Sequence, residues 1–145
     1  MFKKILYPTD FSDVAVKALK YIKKLKASDA KEVTVLHVID ERGMDSVHRF
    51  LGESEFKKLK KMKTEEIQSM LKGVEKELTD AGFKVRLRVE TGIPVREILR
   101  VEEEENISVV VIGSHGWSNL QEIFLGSVSE KVIRRSKNPV LVIKR

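Results

Sequence analysis

The chain contains no cysteine. Disulfides, zinc–thiolate centres and thiol nucleophiles are therefore excluded, and the natural expectation is a reducing compartment, the cytoplasm. Aromatic residues are scarce at 6%, with one tryptophan, and there are three prolines and eight glycines in 145 residues. No apolar run approaches the roughly 20 residues of a membrane-spanning helix, and the opening "MFKKILYPTDFS" lacks the apolar stretch of a secretory signal. A soluble, unprocessed protein is expected.

What is present suits one domain over residues 1–145, with 41% hydrophobic residues and 34% charged ones. A chain of this size buries roughly 68–70% of the surface exposed when unfolded, enough for a core without staples. The net charge of +6 invites a nucleic-acid reading. Many of the cations, however, lie in "KKLKKMK", residues 57–63, within a helical pattern. Such runs ordinarily form a solvated face, and neither a recognised binding motif nor interleaved aromatics accompany this one, so nucleic acid is not the expected partner.

Patterning gives the order of elements. "KKILYP", residues 3–8, reads as a short strand ended by Pro8. Ser12 is placed to cap a helix whose apolar face carries Ala15, Ala18, Leu19, Ile22 and Leu25. "EVTVLHVI", residues 32–39, is a largely buried strand. Residues 40–53 show no clean period and are expected to be a surface excursion with at most one short helical turn. A long amphipathic helix follows over 54–79, carrying Phe56, Leu59, Ile67, Met70, Leu71, Val74 and Leu78. "FKVRLRVE", residues 83–90, alternates strictly, as an edge strand exposed on one face does.

Pro94 opens the next helix, with Val95, Ile98 and Leu99 inward. Its four closing glutamates oppose the helix dipole, so that end must fray or find cations. "ISVVVIG" is a fully apolar central strand, Val128, Val132 and Ile133 mark a last helix, and "VLVIK" closes the chain as a fifth strand. Strands alternating with helices predict an α/β, doubly wound, five-stranded parallel sheet with helices on both faces. Ligands of such sheets bind beyond the strand carboxyl ends, where strand order reverses.

Three glycines fall at that place. Gly113 and Gly116 follow the central strand, and Gly126-Ser127 stands at the start of the last helix. Glycine permits close backbone approach, and the free N–H groups of a helix start attract anions, so the arrangement suits phosphate. Taken singly, each glycine is also an ordinary turn residue. Neither the Gly-Lys-Ser/Thr loop nor the G-x-G-x-x-G fingerprint is present.

The spacing G-x2-G-x9-G-S, from Gly113 through Gly116 to Gly126 and Ser127, resembles that of the ATP-binding members of the universal stress protein family. "ILYPTDFS", "VTVLHVID" and "GSVSEKVIRRSKNPVLVIK" extend the resemblance along the chain. It implies sheet order 3-2-1-4-5, an adenine nucleotide alpha hydrolase-like arrangement, and Asp10 opposite the glycine loop. By the same resemblance Pro8, Thr9 and Asp10 line the adenine and ribose side. Backbone around Val38 and Ile39 borders the base, and Gly113, His115, Gly116, Gly126, Ser127 and Val128 surround the ribose and phosphates.

Asp10 suits either a ribose hydroxyl, a metal held through water, or capping of the first helix. His115 invites a general-base reading, but no second activated group accompanies it, so binding rather than catalysis is expected. His37 reads as a core or edge residue. The loop departs from the family in carrying Trp117, Asn119, Gln121 and Glu122 rather than basic residues. Charge compensation then falls to backbone donors, Ser118, Ser127 and a divalent metal, Mg or Mn. Trp117 fits a subunit contact better than a base platform. The resemblance implies an ATP-dependent switch or partner-binding module with slow or partner-dependent hydrolysis, and a homodimer through "VLVIKR". The alternatives are a nucleotide-independent dimeric module and an ATP-using enzyme on the same scaffold.

Overall fold

The computed structural model describes residues 1–115 and 126–145. Along the chain run β1 (Lys4–Pro8), α1 (Asp13–Leu25), β2 (Glu32–Asp40), α2 (Glu41–Phe50), α3 (Glu53–Asp80), β3 (Lys84–Gly92), α4 (Pro94–Glu104), β4 (Val109–Gly113), α5 (Ser127–Arg135) and β5 (Val140–Ile143). The five strands form one sheet in the order β3-β2-β1-β4-β5, and every pair is parallel.

Alternation along each strand divides the core in two, because successive side chains leave opposite faces of a sheet. On one face Ile5, Tyr7, Val33, Val35, Val109 and Val111 pack with Ala18, Leu19 and Ile22 of α1 and Leu71 and Leu78 of α3. On the other, Leu6, Leu36, Val110 and Ile112 meet Ile98 and Val101 of α4 and Val132 of α5. Strands apolar on both faces are the signature of a sheet covered on both sides. β3, at the edge, keeps the mixed pattern expected of it. Tyr7 is fully buried, and its hydroxyl donates to the Ala15 carbonyl, tying the end of β1 to the start of α1.

Residues 40–53, expected to be largely irregular, instead contain the ten-residue helix α2. Asp40 caps it, accepting the Arg42 N–H at 3.0 Å. α2 buries none of its side chains completely; only Met44 and Val47, three residues apart, are half-buried, so its inward face is too short to stand out as a stripe. His48 ties it to α3, stacking on Phe56 at 4.0 Å between ring centres and meeting Glu53 at 2.6 Å. In α3 only Leu71 and Leu78 are buried; Met70, expected inward, is exposed.

The glutamates closing α4 find cations rather than fraying. Arg88 on β3 reaches Glu104 at 2.9 Å and Glu105 at 3.0 Å, and Arg100 pairs with Glu97 and Glu104. Glu102 points inward and is 5% exposed. One of its oxygens accepts from the Ser136 hydroxyl at 2.5 Å, the Asn138 side-chain amide at 2.8 Å and the Asn138 N–H at 3.2 Å. This carboxylate fixes the turn from α5 into β5.

Truncating Glu102 removes an acceptor shared by three donors and leaves the Asn138 side-chain amide without it, while the Ser136 hydroxyl and the Asn138 N–H keep only their contacts with each other's residue. Glu102→Ala is therefore expected to lower unfolding free energy by about 2–4 kcal/mol in urea titrations, with Glu102→Gln recovering part of it. Burial pushes the Tyr7 phenol up to about 12. Its contribution is then complete below about pH 10, the unfolded value, and is lost as pH rises through the folded one. Tyr7→Phe should remove that component from the alkaline stability profile.

Candidate functional site

The sheet order sets β1 beside β4, and the chain leaves these two strands toward opposite faces. A crevice follows between the two turns. It is a cavity of about 570 Å³ at the strand carboxyl ends. Leu36 and Val38 of β2, Ile112 of β4, and Pro94 and Ile98 of α4 form an apolar side. Thr9, Asp10, His115, Ser127 and Ser129 bring polar groups to the rest.

The turn from β1 into α1 is built from short hydrogen bonds. Thr9 donates its N–H to the Leu36 carbonyl at 2.8 Å, and its Oγ1 accepts the Phe11 N–H at 3.0 Å. Asp10 Oδ1 accepts the Ser12 N–H at 3.0 Å, and Ser12 Oγ accepts the Ala15 N–H at 3.3 Å. The helix cap is thus Ser12, while Asp10 shapes the preceding turn and lines the cavity. Phe11 takes φ of 62°, unusual for a residue with a side chain, and stacks on His37 at 5.0 Å. His37 Nδ1 lies 2.9 Å from the Thr9 carbonyl. Since a carbonyl only accepts, that nitrogen carries the proton. His37 supports the turn from beneath.

The glycines after β4 have reasons of their own. A Cβ on Gly113 would sit 2.9 Å from Val14 Cγ1 and 3.3 Å from the Ala15 nitrogen, so the start of α1 leaves no room for a side chain. A Cβ on Gly126 would lie 3.2 Å from the Ser114 carbonyl oxygen. That oxygen accepts both the Gly126 N–H and the Ser129 hydroxyl at 2.7 Å. Gly126 is the N-cap residue of α5 and offers no capping side chain. The first turn of α5 thus has no side-chain cap where Ser127, Val128 and Ser129 line the cavity.

His115 is 6% exposed, and its Nδ1 meets the Ser114 hydroxyl at 2.8 Å. Its Nε2 has no hydrogen-bond partner among the described residues. Ser114, at 1% exposure, is sealed beneath it and orients the ring. Asp40 adds a second carboxylate to the wall, and Arg42 beside it holds that carboxyl below the usual range. Among the described residues no lysine or arginine lines this cavity, and no cluster of three or more His, Asp or Glu could hold a metal.

Of the expected residues, Pro8, Thr9, Asp10, Val38, Gly113, His115, Gly126, Ser127 and Val128 come together around the cavity. At Ile39 the expectation concerned backbone; its side chain points to the opposite face of β2 from Leu36, Val38 and Asp40, whose i, i+2, i+4 spacing puts them on the cavity side. Gly116, Trp117, Ser118, Asn119, Gln121 and Glu122 lie outside the described residues. Sequence reading missed Ala15, Leu36, Asp40, Pro94, Ile98, Ile112 and Ser129. Strand parity counted back and forward from Val38 would have found Leu36 and Asp40.

The fold and crevice define a doubly wound α/β protein with a ligand cavity at its topological switch point. The model of the universal stress protein family matches residues 1–144, and the chain belongs to that family. Universal stress protein MJ0577 of Methanocaldococcus jannaschii is 46% identical over 157 residues, spanning all of this chain and 96% of that protein. The solved structure of MJ0577 is similar with a TM-score of 0.90 at 48% identity, covering 100% of this chain and 97% of that one. Two further structures share the fold at lower identity. A universal stress protein in complex with cAMP has a TM-score of 0.70 at 23% identity, over 99% of this chain and 97% of that one. An Arabidopsis thaliana family protein with AMP bound has 0.71 at 17%, over 99% and 92%.

The contact at Gly113 predicts a cost that is independent of any ligand. Gly113→Ala should lower stability by about 1–3 kcal/mol, the usual penalty of overpacking, in urea unfolding of ligand-free protein. An unchanged midpoint would mean that α1 can shift to admit the methyl group.

Proposed function

We propose that the cavity binds an adenine nucleotide, with ATP the expected ligand, and that the protein acts as a nucleotide-dependent switch or partner-binding module. The observation that carries this reading is the division of one cavity into an apolar side and a polar side ending at a helix start. A cavity of about 570 Å³ falls within the usual range of small-molecule sites. Leu36, Val38 and Ile98 suit a flat base, Asp10 a ribose hydroxyl, and the first turn of α5 a phosphate. The Nε2 of His115, unmet among the described residues, supports a polar ligand beside it. That proteins of this fold hold cAMP and AMP accords with the same reading.

Binding is favoured over turnover because the acid–base groups here have structural tasks. Asp10 shapes a turn, Asp40 pairs with Arg42, and the Ser114 hydroxyl is sealed below His115. A divalent ion, Mg or Mn, would arrive with the phosphates, with Asp10 a candidate to hold it through water; its chemistry would be charge neutralisation. β5 is an edge strand with Leu141 exposed, which supports a second copy pairing there in a cytoplasmic homodimer. Among the described residues no helix is long and apolar enough to cross a membrane.

Calorimetric titration of nucleotide-stripped protein with ATP, with and without magnesium, tests the reading. Saturable binding near one site per chain is expected. Asp10→Asn keeps an oxygen for the Ser12 N–H but loses the charge, and should weaken ATP about tenfold, near 1.4 kcal/mol, with the melting curve little changed. No saturable binding to the wild-type protein would leave the nucleotide-independent module as the better account.

A further inference from the structure

The cavity shares Pro94, Ser127 and Val128 with a second recess of about 260 Å³. Arg42 at the start of α2, Arg96 in the first turn of α4, and Lys131 and Arg135 of α5 line it. No described carboxylate does. Ser127, Lys131 and Arg135 are four residues apart, so they run along one flank of α5 from the edge of the larger cavity outward.

Three of the four cations of this recess differ from their neighbours. Arg134 pairs with Glu130, and Arg100 with Glu97 and Glu104. Arg42 is gripped by Asp40, with Nε at 3.0 Å and Nη2 at 2.7 Å. Arg96, Lys131 and Arg135 have no ion-pair partner among the described residues. Unneutralised like charges gathered in a concavity raise the local potential and draw polyanions, and guanidinium forks suit phosphate oxygens. The larger cavity has the opposite shortage: it offers a phosphate-facing helix start but no described cation.

We propose that the recess is a terminal-phosphate subsite, which extends the nucleotide site along α5 and selects nucleoside polyphosphates over monophosphates. This inference rests on the nucleotide reading above. Arg96 and Lys131 supply the charge that the glycine loop does not carry, and Ser127 and Val128 are the junction between the two parts.

The test compares AMP, ADP and ATP by calorimetry on the full chain and on the double variant Arg96→Gln/Lys131→Gln, with thermal melting as the control for folding. Both residues are exposed, so the variant should fold. Wild-type protein is expected to prefer ATP to AMP. The variant should lose at least tenfold in ATP affinity, with a shallower salt dependence, while AMP changes less than twofold. Equal changes for AMP and ATP, or none for either, would overturn the subsite. If wild-type protein binds none of the three, the nucleotide reading fails, and inorganic tripolyphosphate becomes the probe. Saturable binding of that probe, lost in the variant, would sustain the recess as a polyanion site; its absence would end the proposal.

Discussion

The end of β4 and the beginning of α1 touch so closely that Gly113 has no space for a side chain. Much of the site depends on this contact. It presses the β1–α1 turn against the β4 exit, so Thr9 and Asp10 come to face His115 across a narrow crevice. The same turn is fixed from below by Tyr7, from the side by the Leu36 carbonyl, and from beneath Phe11 by His37. A residue with positive φ at Phe11 persists only because so many groups determine its surroundings. The cavity is therefore shaped mainly by backbone and by rigid caps.

Charge is distributed with similar economy. The acidic end of α4 is neutralised by the arginines of the edge strand β3, which also discourages pairing along that edge. Glu102, the buried member of the acidic run, turns inward and organises the approach to β5. A run of four glutamates thus does two unlike jobs, one electrostatic at the surface and one conformational in the interior. Surface pairs of this kind contribute little singly.

The strands and their order were legible because each carries a strong period or a continuous apolar run, and because the glycine spacing led to a family with a known topology. The residues after β4 and in the Pro8–Asp10 turn that line the cavity were legible for the same reason. What escaped was of another kind. α2 is ten residues long and seats only Met44 and Val47, each half-buried, so its inward face is too small to stand out in the sequence. The inward turn of Glu102 could not be separated from its exposed neighbours, since four identical letters conceal four different environments. Gly113 reads in the sequence as a turn residue or a concession to a ligand, and neither reading discloses its tight contact with Val14, in a helix that precedes it by about a hundred residues. Long-range packing of that sort has no local signature.

The unequal seating of α3 has a consequence for cooperativity. At 28 residues it is about 42 Å long, yet its two buried side chains, Leu71 and Leu78, both lie in the second half. The first half is held by its own backbone hydrogen bonds, by the His48–Phe56 stack and by polar contacts at the α2 junction. Isolated helices of about 15 residues are marginal in water. Opening of this stretch need not cost the free energy of the whole molecule, because little of the core would be uncovered. The protein accordingly contains two tiers of stability, a sheet-centred body and a basic, solvent-facing arm that can exchange its amide protons without global unfolding.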